Sequence, residues 1–113
     1  MLNYMIQLFG GQPRASQWPK VRNAFMKGKA CSGCGSLESL ECHHIIPFHV
    51  DRSLELAVDN LIALCRVCHF EIGHLRDWES SNPHVIEDAA VYLSRVTLYR
   101  QRPIARDINE WPY

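Results

Sequence analysis

The chain has 113 residues, 47% of them apolar, with 12 basic and 12 acidic side chains and a formal net charge of zero. That length predicts a single domain, 1–113, whose core is small enough to gain from a metal staple. The composition excludes disordered and fibrous classes, and no apolar run reaches the length needed to span a bilayer, so no membrane partner is expected.

The charge is unevenly spread. Residues 1–37 carry Arg14, Lys20, Arg22, Lys27 and Lys29 and no acid, residues 38–90 carry three basic and ten acidic side chains, and residues 91–113 have a net charge of +2. Basic ends around an acidic middle suit a protein that grips a polyanion while holding cations, although solvated helix faces produce the same pattern. Met1 to Phe9 lack the basic segment and cleavage site of a secretory signal, so the default expectation is a cytoplasmic protein. In that setting paired cysteines bind metal more often than they form disulfides.

In chain order, residues 1–13 predict an arm or short helix ended by Gly10, Gly11 and Pro13. Ser16 as N-cap and Pro19 in the first turn predict a basic helix to about Lys27, within a segment 14–30. Trp18, Val21, Phe25 and Met26 form its apolar face, with Trp18 read as core and not as a base-stacking residue. Cys31-Ser-Gly-Cys34-Gly is a knuckle in which the glycines let two sulfurs meet one ion. Residues 37–47 predict a strand, 48–58 a loop, 61–64 a second strand, and 66–77 a helix on which His69, Ile72 and Leu75 recur at helical spacing. Asn82-Pro83 starts the last helix, 82–101, with Val85, Ala89, Tyr92, Val96 and Tyr99 as its core stripe. Pro103 stops it, and the remainder is expected to be extended.

Cys31, Cys34, Cys65 and Cys68 form two Cys-x-x-Cys pairs, the donor set of a closed tetrahedral zinc site. A closed site has no open coordination position, so this zinc is expected to be structural. Thirty residues separate the pairs, and between them lie His43, His44 and Asn60. Cys42 is the odd cysteine and reads as a small buried hydrophobe. Metal-assisted phosphodiester hydrolysis needs a cation at the phosphate, a base for water and a group that orients the base. Adjacent His43 and His44 in a strand point to opposite faces, so one can meet a cation while the other meets water. His69, just after the second knuckle, could add a second imidazole. Asn60 could hold a loop through the backbone or fix the tautomer of the base. Taken singly, each of these histidines is better explained by packing.

Together, Cys31-x2-Cys34, Glu41-Cys42-His43-His44-Ile45-Ile46-Pro47, Asp59-Asn60 and Cys65-x2-Cys68-His69 resemble the HNH endonucleases of the zinc-containing ββα-metal type. The resemblance covers residues 31–74. Its flanks, Arg14 to Arg22 and Gly73 to Pro83, are similar to small stand-alone members from bacteria and phages. It implies an α+β fold with a zinc-stapled ββα-metal core at 31–77, between N-terminal and C-terminal helices. It implies a DNA endonuclease or nickase in which His43 and His69 hold one catalytic divalent cation (Mg²⁺, Mn²⁺ or Ni²⁺), His44 is the general base and Asn60 supports its loop. Some members add a ligand one helical turn after His69, which here would be Gly73. His74 lies about 140° round an ideal helix from His69 and can join only if that helix is distorted. Glu41 stands where some relatives place a carboxylate, and His49 and His84 read as surface or packing residues. Arg14, Lys20, Arg22, Lys27, Lys29 and Arg66 are the expected phosphate contacts. One catalytic centre per chain implies nicking by a monomer and duplex cutting by a homodimer. The alternatives are a catalytically silent zinc module that binds nucleic acid as a regulator, and a zinc-stabilised protein-interaction module.

Overall fold

The computed structural model describes residues 14–101. The expected N-terminal arm and the extended tail after Pro103 lie outside the described residues. The order of elements is helix α1 (Trp18–Met26), strand β1 (Leu40–His44), strand β2 (Leu61–Cys65), a helical segment α2, and helix α3 (Val85–Gln101). Segment α2 runs as a single α turn over Arg66–Cys68 and continues as a wide π turn over His69–Gly73. Short 3₁₀ turns at Arg52–Leu54 and Val58–Asn60 shape the loop between the strands. No helix among the described residues is long and apolar enough to cross a membrane.

The two strands pair antiparallel, with Leu40 opposite Cys65, His43 opposite Ile62 and His44 opposite Leu61. All five residues of β2 are buried, whereas β1 is buried only at its two histidines. The hairpin followed by a helical segment, with four cysteines at zinc-binding distance from one another, is the arrangement of a ββα-metal fold. The mixed α+β expectation therefore holds.

Three expectations need correction. The first strand is five residues long, because Ser39 takes a left-handed φ of 54° just before it. The helix expected at 66–77 ends at Gly73, since Leu75 and Arg76 both adopt left-handed φ angles and reverse the chain. In α3, Val85 and Ala89 are fully buried, but Tyr92 and Tyr99 are exposed and Leu93 is half-buried in their place. The stripe therefore steps from 89 to 93, where the Leu93 side chain packs beside the Gly35 turn of the knuckle.

Capping also differs from the expectation. Gln17, not Ser16, precedes α1, without a side-chain cap, and Pro19 sits in its first turn as predicted. Helix α3 starts at Val85, three residues after Asn82. Asn82 is buried and acts as a clip: its Oδ1 accepts from the His84 N–H, while Nδ2 donates to the Ile72 carbonyl and to Asp88. Its backbone N–H donates to the Gly73 carbonyl. Carbonyls at the end of the π turn thus find partners in the start of α3.

The core is small, and metal-ligating residues form much of it. Three of its seven fully buried members are Cys31, Cys65 and Cys68, packed with Ile62, Leu64, Val85 and Ala89. In a domain of this size such a core depends on what holds the sulfurs together.

Candidate metal centres

The knuckle Cys31–Cys34 folds back on β2 through a hydrogen bond from the Ser32 N–H to the Ala63 carbonyl. This brings Cys31 and Cys34 against Cys65 and Cys68, and the four sulfurs all lie within 4.8 Å of one another. Zn–S bonds of about 2.3 Å in a tetrahedron place sulfurs about 3.8 Å apart, and Cys34 and Cys65 stand at 3.7 Å. The Gly33 and Cys34 N–H groups donate to the Cys31 sulfur, and the Cys68 N–H donates to that of Cys65. Burial works against a thiolate at Cys31, but those donors outweigh it and draw the thiol down to about 7. Burial and neighbouring sulfurs push Cys68 upward, the expected strain of crowding thiols that a cation relieves. A Cβ on Gly33 would sit 3.0 Å from the Cys68 sulfur, tighter than ordinary contact, so the approach of the knuckle favours glycine. The donor set and spacing fit zinc. Burial pushes the Cys42 thiol up to about 11, and Cys42 stands apart from the cluster.

Because successive strand residues alternate, His43 and His44 leave β1 on opposite sides. His43 meets His69 and His74, each with its ring centroid 4.9 Å away. The ligand-capable nitrogens of these three residues lie within 4.8 Å of one another. The distortion that His74 requires is present. Its N–H donates to the His69 carbonyl five residues back, at 3.0 Å, which is the hydrogen bond of a π turn. The wider turn carries His74 round to the side of His69. Gly73, where an α-helix would place the next side chain, instead lies against the His43 imidazole. A Cβ there would be 3.3 Å from the ring, tighter than ordinary contact.

The protons on these rings follow from their partners. His69 Nδ1 lies 2.8 Å from Glu41, whose carboxyl is held below its usual range by that contact and by Arg66. His74 Nδ1 lies 2.7 Å from the Ser80 carbonyl. Carboxylates and carbonyls only accept, so both Nδ1 atoms carry hydrogen, and it is Nε2 of each ring that is left to offer a lone pair to a cation. Those two Nε2 atoms face each other at 3.2 Å. His43 Nε2 is buried and has no hydrogen-bond partner among the described residues. Burial, and then the neighbouring His69, push the His43 pKa down to about 3, so the ring stays neutral. Burial also lowers His69. A water has two hydrogens and cannot serve three such nitrogens, whereas a cation can. Metal–nitrogen bonds of about 2.0–2.1 Å in a tetrahedron separate the nitrogens by about 3.3 Å. The residues fit a divalent cation.

His44 sits on the other side of the strand against α1, its ring 4.5 Å from that of the buried Trp18. Its Nε2 donates to the Glu55 carbonyl at 2.9 Å, which leaves the lone pair on Nδ1. Burial lowers its pKa, so it is neutral near pH 7. Asn60 does not touch the base. Its Oδ1 accepts from the Ile46 N–H, and its Nδ2 donates to the Ile46 and Leu54 carbonyls, fixing the loop one residue before Glu55. His44 and His69 open onto one cleft of about 600 Å³ that is also lined by Arg14, Arg22, Glu41 and Arg66. Lys20, Lys27 and Lys29 are exposed but are not among its walls. Arg66 donates to Glu41 at 3.0 Å, and Arg14 lies 3.8 Å from Glu55. His49 and His84 are exposed and belong to neither cluster.

Sequence reasoning missed Glu55, whose buried carboxylate accepts from the Ala15 N–H and ties the start of α1 to the base. Its signal was a lone acid between Leu54 and Leu56. It also missed the Ser80 carbonyl, for which a sequence carries no signal.

Residues 31–75 match the family model of the HNH endonucleases. The match spans both knuckles, the hairpin and α2 through His74, less than half of the chain, and leaves α1 and α3 outside it. No curated protein matches the chain. The matched segment holds every residue of both clusters, and the match points to a nuclease-type function.

Proposed function

We propose that this chain is a metal-dependent DNA endonuclease that nicks as a monomer and cuts duplex only as a pair. The observation that carries the reading is the convergence of three imidazoles, His43, His69 and His74, with His43 Nε2 buried and unpartnered among the described residues, beside a cleft that holds a separately tethered His44. A binding module would have no use for converging lone pairs and a tautomer-locked histidine on opposite faces of one strand.

A divalent cation in the trio would supply charge stabilisation at the scissile phosphate and the leaving oxygen. Glu41 and the Ser80 carbonyl hold His69 and His74 in the ligating tautomer. His44 takes a proton from water at Nδ1, since Nε2–H is committed to the Glu55 carbonyl. Asn60 positions the carbonyl that does this, and Trp18 keeps the imidazole from rotating. Arg14, Arg22 and Arg66 place positive charge along the cleft for flanking phosphates, a contact that is salt-dependent and blind to sequence. The four-cysteine zinc is structural, and the free cysteines fit a reducing, cytoplasmic setting.

Supercoiled plasmid incubated with Mg²⁺, Mn²⁺ or Ni²⁺ should be nicked, and EDTA should stop the reaction. His44→Ala should abolish cleavage while zinc content and the binding of Ni²⁺ stay unchanged. Cleavage by that variant at the parental rate, with contaminating nuclease excluded, would sink the assignment of the base.

A further inference from the structure

Beside the histidine trio stands an aromatic group with no task in the hydrolysis. The Trp78 ring lies 4.9 Å from that of His74, 5.3 Å from His69 and 5.0 Å from Phe70, yet 47% of the residue is exposed. The chain reaches this position through Leu75 and Arg76, whose φ angles of 54° and 68° lie in the left-handed region that L side chains enter at a cost. Two consecutive strained residues thus precede a half-exposed indole that stands beside the histidine trio. Trp78, Phe70 and the exposed Val67 form the apolar walls of a recess of about 330 Å³, with Arg66 and Glu71 at its rim. The Arg66 guanidinium lies 5.2 Å from the indole centroid and also lines the arginine cleft, so it joins the two spaces.

We propose that this recess takes one unpaired nucleobase of the strand being cut, stacked on Trp78, with a neighbouring phosphate on Arg66. This rests on the nuclease reading above and narrows its substrate to DNA with unpaired nucleotides near the scissile bond. A flat π face beside a fixed cation matches a planar base joined to an anion, and stacking is tolerant of base identity. A base inside a duplex already has both faces covered and cannot reach the recess. Arg66, paired with Glu41 at 3.0 Å, keeps 66% of its side chain exposed and is the cation at the rim that can meet the phosphate.

The test is fluorescence anisotropy with a labelled DNA strand of about 12 nucleotides, alone and annealed to its complement. It is run in the His44→Ala background without added catalytic cation, so the readout does not depend on activity. Trp78→Ala should weaken binding of the single strand roughly tenfold or more, the range of one lost base stack. The duplex should change by less than about twofold, and Trp78→Phe should retain most of the single-strand binding. Equal weakening of strand and duplex, or none for the strand, overturns the proposal. Calorimetric titration of Ni²⁺ into the same variants removes the remaining ambiguity. If Trp78→Ala loses cation affinity to the same extent as strand affinity, the indole is only a wall of the ligand cluster and the proposal falls. If the parent cuts neither plasmid nor single-stranded DNA with any of the cations but the strand-selective loss remains, the nuclease reading fails and the base site stands.

Discussion

Glu41 orients one of the three imidazoles, and its removal has a cost that can be worked from two contacts. One carboxylate oxygen accepts from His69 Nδ1 at 2.8 Å and the other from Arg66 at 3.0 Å. Both bonds are charge-assisted, and the first fixes the tautomer that presents Nε2 to a cation. Glu41→Gln keeps one acceptor, so its amide oxygen can still serve His69 while its NH₂ turns toward Arg66 and repels it. Glu41→Ala loses both partners and lets the His69 ring rotate. Loss of a hydrogen-bonded orienting group typically weakens metal binding by about 10- to 100-fold, or about 1.4–2.8 kcal/mol. The glutamine variant is expected near the lower end and the alanine variant near the upper. The assay is calorimetric titration of Ni²⁺ into zinc-loaded protein, with the zinc content checked in each variant. Alanine at position 41 with unchanged Ni²⁺ affinity would refute the argument that Glu41 sets the tautomer of His69.

Asn60→Ala removes three hydrogen bonds from a buried amide and strands two carbonyls and an N–H. It should cost roughly 2–4 kcal/mol in urea unfolding, and cleavage should fall further than stability explains, because the Glu55 carbonyl is released with the loop. Gly73→Ala puts a methyl 3.3 Å from the His43 ring. It should lower Ni²⁺ affinity with little loss of thermal stability, and a variant that binds Ni²⁺ as well as the parent contradicts the close packing. Cys68→Ser opens the zinc tetrahedron in the middle of the core, and metal analysis should find well under one zinc per chain together with loss of a cooperative melt. Retention of a full complement of zinc would mean that the sulfurs do not share an ion.

How far the sequence could be read depends on the range of each signal. The knuckles are local patterns of cysteine and glycine, so their pairing was legible from spacing alone. The opposite directions of His43 and His44 follow from strand geometry, and their rings lie on separate sides of β1. The core stripe of α3 was misread at Tyr92 and Tyr99, although Val96 is half-buried as expected, because helical periodicity does not tell tyrosine from leucine, and the small space beside Gly35 takes Leu93. The basic segment was legible as charge, but the division between Arg14 and Arg22 in the cleft and three lysines outside it depends on how α1 is docked. The tether of His44 was hidden because it is a backbone carbonyl, a group every residue has. His74 was legible only as a conditional ligand: a helical reading of 66–77 assumes 3.6 residues per turn throughout, and the chain departs from that at the place where the ligands converge.

The π turn holds one residue more than an α turn, so the position of His74 is a matter of chain length as much as of residue identity. Removing Gly73 would put the same histidine four residues after His69, where an unmodified α-helix delivers it to the same side. A three-imidazole centre can therefore pass between four- and five-residue ligand spacings by a single insertion or deletion, with no substitution of any ligand. Patterns that require a fixed interval after the last histidine of such a motif will overlook chains built in this way. Allowing one extra residue, especially beside a glycine, recovers them.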